Sequence, residues 1–173
     1  MSQSLASQLA PLFLRDLDTL RAELDAYAAT DQLDALWSTP PGITNSAGNL
    51  ILHLCGNLRT FVCHHLGQID YTRDRDFEFA GRDVPVDEMR AIIDATKDAV
   101  ARTLASITAD QLAADFPLKP GGHTVNTQHF LLHLLGHLDY HLGQIDYHRR
   151  LVTGQNTAVG AQAIGVIAAP AAG

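Results

Sequence analysis

Between His129 and Arg150 the chain reads HFLLHLLGHLDYHLGQIDYHRR, in which His129, His133, His137 and His141 recur every fourth residue. Only a helix keeps residues four apart on one stripe, so this stretch constrains the fold more than any other. At about 100° per residue the four histidines fall near 0°, 40°, 80° and 120°. The face formed by Phe130, Leu131, Leu134, Leu135, Leu138, Leu142 and Ile145 centres near about 180°. The stripe therefore winds toward the apolar face, and His137 and His141 lie nearest the core side. Each four-residue step also climbs about 6 Å, so one ion cannot reach all four rings. An adjacent i, i+4 pair can share one, and the geometry favours His137 with His141.

Two imidazoles at that spacing suit a metal of the zinc or nickel class, and a further ligand has to come from another helix. His53, His64, His65 and His123 are available. Periodicity leaves His53 open, because it falls about 140° from the centre of its segment's apolar arc. The competing reading is plain: a lone histidine near an apolar face is usually a hydrogen-bonded structural residue. His129, His133 and His148 are read as surface residues or as supports for a metal ligand.

Three other stretches share the helical period. One covers about Ser7 to Tyr27, with leucines at 12, 14, 17, 20 and 24 and Pro11 in its first turn or at a kink. The second, about Ser46 to Leu66, follows the stop signal of Pro40, Pro41 and Gly42. The third, about Val86 to Ile107, opens with Asp87 and Glu88, which favour a helix N-terminus. The histidine stretch is the fourth, about Thr127 to Leu151, with Asn126 or Thr127 as cap. No run of alternating strand pattern appears. The expectation is an all-α, four-helix bundle over residues 1–154, followed by a small-residue tail, 155–173, packed on the bundle or disordered. Two echoes, LHLCGNL with LHLLGHL and HLGQIDY at 65–71 and 141–147, are offset by different lengths and form no continuous repeat.

A net charge of −7 with no basic stripe argues against a nucleic-acid partner. No apolar run is long enough for a membrane span, and the first residues lack a signal-peptide pattern, so the cytoplasm is the default location. Cys55 and Cys63, about 12 Å apart on a helix, are too distant for a disulfide and are read as buried small hydrophobes.

The strings LLHLLGHLDYHLGQIDYHRR and AGNLILHLCGNLR, in that placement on the fourth and second helices, resemble the DinB/YfiT-like superfamily of bacterial four-helix proteins. The resemblance covers the chain to about Gly154. Its usual metal site takes one histidine from the second helix and two from the fourth, which carried over by position are His53, His137 and His141. It also implies a divalent metal ion, often nickel or zinc, and commonly a homodimer. Some members are thiol-dependent transferases or isomerases that use a low-molecular-weight thiol such as bacillithiol, mycothiol or glutathione. The leading expectation is thus a metal-dependent thiol S-transferase acting on a small electrophilic molecule. The alternatives are a non-catalytic metal-binding bundle and a structural dimer.

Other features are read more blandly. Gln144 is expected to make a helix-packing hydrogen bond, with support of a metal ligand as the alternative. The segment RDRDFEF is expected to be a solvated ion-pair loop rather than a cation site built from Asp74, Asp76 and Glu78. Arg73, Arg75 and Arg82 would then be candidates to hold an anionic substrate. Gly136 and Gly143 allow close approach of another helix, within the bundle or across a dimer.

Overall fold

The computed structural model describes residues 4–30, 32–160 and 165. Its α-helices are α1 (Leu5–Ala28), α2 (Ala47–Leu58), α3 (Arg75–Ala80), α4 (Val86–Ser106), α5 (Ala109–Ala113) and α6 (Thr127–Thr153). Among the described residues the only bridge is an isolated antiparallel one between Asp115 and Asn126, and no strand forms. The protein is all-helical, and no described helix is long and apolar enough to cross a membrane.

The four longest helices are the four that periodicity predicts. Ser4 and Ser46 cap α1 and α2, each accepting from the backbone N–H three residues on, and Asn126 caps α6. Pro11 lies within α1 rather than ending it. At the other end of α6, Gly154 takes a left-handed conformation (φ 72°) that closes the helix by its N–H bonding Arg150 O. Helix α2 continues beyond Leu58 as a π-helical turn, Arg59–His64.

Helix α1 packs on α4 and α6, and α2 packs on the same two, so these helices enclose one core. Phe13, Leu17, Leu20 and Leu24 of α1 meet Ile51, Leu54 and Leu58 of α2, Met89, Ile93 and Val100 of α4, and Leu131, Leu138 and Ile145 of α6. Their spacing of three and four residues places each set on one stripe. Every residue of α2 is buried, because α3 and the 3-10 turn Leu33–Trp37 cover the side that α4 and α6 leave open. That explains why the position of His53 cannot be read from periodicity: a helix covered on all sides has no polar face to define its orientation.

Two expectations need correction. RDRDFEF is not wholly a solvated loop, since residues from Arg75 form α3 and Glu78 is 3% exposed. His148 is not a surface residue. It is buried, accepting from Tyr27 Oη at its Nδ1 (2.6 Å) and donating from Nε2 to Ser38 O (2.9 Å). Gly136 and Gly143 face open space, which removes the reading of tight packing within the chain. The tail beyond residue 160, Gly165 aside, lies outside the described residues. Its first part is held by Arg149, whose fully buried guanidinium pairs with Glu23 of α1 at 2.6 Å and donates to Gln155 and Thr157 O.

Candidate metal centre

His53 lies on α2, with His137 and His141 one turn apart on α6. The packing of α2 on α6 turns all three rings into one space. Nε2 of His137 is 3.4 Å from Nε2 of His53 and 3.1 Å from Nε2 of His141. One nitrogen from each ring lies within 4.8 Å of the others, and this is the only such group of potential metal ligands found among the described residues.

The outer nitrogens fix the rings. His53 Nδ1–H donates to Glu78 Oε2 at 3.0 Å, and His141 Nδ1–H donates to Gln144 Oε1 at 2.7 Å. Both hydrogen bonds select the tautomer that leaves Nε2 as a lone pair facing the cluster. His137 Nδ1 is buried with no partner.

Glu78 reaches His53 because α3 is fastened onto α2. Asn49 Nδ2 donates to the carbonyls of Glu78 and Gly81, both at 3.0 Å, and Asp74 caps α3 by accepting from Phe77 N. A Cβ at Gly56 would overlap Glu78 Oε1, so glycine is what lets the carboxylate lie against α2. Arg73 then grips the carboxylate from outside, Nε to Oε1 at 2.6 Å and Nη2 to Oε2 at 2.7 Å. Burial alone would raise the Glu78 pKa, but the hydrogen bonds and charges of His53 and Arg73 outweigh it and hold the carboxyl below its usual range. Ionised Glu78 is therefore the acceptor that the His53 tautomer requires.

The two rings on α6 resist protonation. Burial, and then the neighbouring His141 and His53, lower the His137 pKa to about 4. Burial also lowers that of His141, against the opposing hydrogen bond to Gln144. The space between the rings thus faces the Nε2 lone pairs of His53 and His141, with His137 Nε2 between them. A metal ion would satisfy them. Nitrogens at 2.0–2.1 Å from a shared tetrahedral ion lie about 3.3 Å from one another, close to the two separations found. The residues fit a divalent ion, and three protein ligands leave a coordination position open.

Sequence reasoning singled out these three histidines, and the structure brings them together. It places His129 and His133 exposed farther along α6. His64 bonds Ile69 O, and His65 packs against Phe116. Glu78 was not foreseen as a partner of His53, from which it is 25 residues away, and no periodicity connects them. Of the arginines considered for an anionic substrate, Arg73 is committed to Glu78, Arg75 lies over Phe79, and Arg82 donates to the carbonyls of Phe79 and Gly81. Cys55 and Cys63 are buried small hydrophobes, and burial pushes both thiols up to about 12.

The fold and the cluster define a helical protein with three histidines that could hold a metal ion. The family model described as a protein of unknown function, DUF1572, matches residues 14–161, and the chain belongs to that family. No curated protein and no solved structure matches it.

Proposed function

We propose that the chain is a DinB/YfiT-like four-helix bundle that binds a divalent ion, nickel or zinc, through His53, His137 and His141. We further propose that it works as a metal-dependent thiol S-transferase on small electrophilic molecules, as a cytoplasmic homodimer. The observation that carries the metal reading is the convergence of three Nε2 atoms, two of them held in the ligand tautomer by Glu78 and Gln144. When bound, such an ion supplies positive charge that lowers the pKa of a thiol or water beside it and so provides a nucleophile near neutral pH.

The chain's own residues do the rest. Glu78 orients His53 and makes it a better donor, and Arg73 keeps Glu78 ionised. Gln144 performs the same orienting task for His141. His137 sits between the other two, and its burial keeps it neutral. A cleft of about 570 Å³ adjoins the cluster, with His141 and Gln144 in its wall, and gives a second molecule access to that end of the site.

The test is elemental mass spectrometry on tag-free protein beside His53→Ala and His141→Ala. The proposal expects about one divalent ion per chain, lost in both variants. Protein that carries no metal and rejects added zinc and nickel would remove the metal and the transferase reading together. Metal without turnover of any thiol and electrophile pair would leave a non-catalytic binding bundle.

A further inference from the structure

The cleft beside His141 runs between the loop Gly42–Asn45, Leu50 of α2, and a row on α6 formed by Tyr140, Gln144, Tyr147 and Leu151. No Asp, Glu, Lys or Arg lines it. The chain has 31 charged residues (12 basic and 19 acidic), yet none of them is in the wall of this cleft. Arg150, which lies over the ring of the lining residue Tyr147 at 5.3 Å, pairs with Asp146, so its charge is already answered. His148 in the inner wall is bonded through both ring nitrogens and offers nothing further.

The same cleft holds exposed apolar groups. Tyr140, Tyr147 and Leu151 are 65%, 73% and 65% exposed, and Ile43 is 41% exposed. These four make up half of the eight large hydrophobic side chains left exposed among the described residues, gathered on one concavity. Its volume lies in the range of small-molecule pockets, which are mostly apolar with a few polar groups at one end. Here the polar lining comprises His141, at the edge of the histidine cluster, its hydrogen-bond partner Gln144, and Thr44 and Asn45.

We infer that this cleft binds an uncharged, largely apolar organic molecule, its hydrophobic part between Ile43, Tyr147 and Leu151 and its polar end toward His141. An ion would lose its hydration there with no opposite charge from a lining side chain in return. A ligand carrying carboxylates, including an acidic thiol, is a poor match for this wall. The inference deepens the reading of the metal centre by naming the molecule admitted beside it, and the binding itself requires no ion.

The test uses one ring system with three charges: 1-naphthylmethanol, naphthalene-1-sulfonate and 1-naphthylmethylammonium. Each is titrated calorimetrically into the full-length protein, as purified and after chelation, with bound metal assayed separately. In the chelated protein the alcohol is expected to bind roughly tenfold or more tightly than either ion. The exposed-site substitution Ile43→Asp is expected to weaken the alcohol by a similar factor, with unchanged circular dichroism. Equal or tighter binding of an ion to the chelated protein, absence of saturable alcohol binding, or indifference to Ile43→Asp overturns the inference. Because the chelated arm does not depend on metal, a protein that lacks metal yet selects the alcohol refutes only the metal reading.

Discussion

Glu78 is the residue on which the geometry of His53 depends. Replacing it by Gln keeps the shape but removes the charge that fixes the imidazole tautomer and pairs with Arg73. Metal affinity is expected to fall about 10–100-fold, as measured by competition with a chelating dye. Gly56→Ala should act on the same contact from the opposite side, costing about 1–3 kcal/mol in a denaturant titration because Glu78 has to move. His148 has a separate consequence. Burial lowers its pKa below the ordinary imidazole value of 6.5, so as pH falls the unfolded chain takes up the proton first. The stability linked to this group is intact above about pH 6.5 and lost as pH falls toward the lowered value. Urea midpoints at pH 7.5 and 5.5 should therefore drop more in the parent than in His148→Gln, by at most about 1.4 kcal/mol per pH unit. Equal drops would show that His148 is not among the groups responsible. At this scale the sequence made His137 and His141 legible, because a regular helix converts spacing into direction. It could not reveal Glu78, whose approach to His53 depends on where α3 docks.

The long helices could be read because each carries an apolar stripe over several turns. The short α3 and α5 could not, since six or five residues hold too little of a period to be recognised. The heptapeptide HLGQIDY shows how far context decides. At 141–147 it lies within α6, but at 65–71 it leaves the helix, with Gln68 at φ 53°. At 65–71 the turn is closed by His64 Nδ1 donating to Ile69 O at 3.0 Å and by Ile69 N donating to Cys63 O. His64→Ala is expected to destabilise the protein by about 1 kcal/mol, read as a lower urea midpoint. Ser46→Ala should cost a similar amount, about 1 kcal/mol, through loss of the α2 cap.

Across the whole molecule, the three clustered histidines come from opposite halves of the chain. The tail beyond α6 is tied back to α1 through Arg149 and Glu23, both fully buried. Arg149→Ala would strand Glu23 without its partner, and a loss of about 3–5 kcal/mol is expected from chemical denaturation. His53 and His137 are 84 residues apart, yet their nitrogens nearly touch. In an unfolded chain, joining those points would close a loop of that length, at an entropic cost of about 4 kcal/mol. The pair His137 and His141 needs no such closure. A free chain could therefore offer an ion two neighbouring rings cheaply, but the third only at that cost. An ion shared by all three would act as a reversible crosslink between the halves of the polypeptide, and its concentration in the surroundings would help set the temperature at which the protein melts.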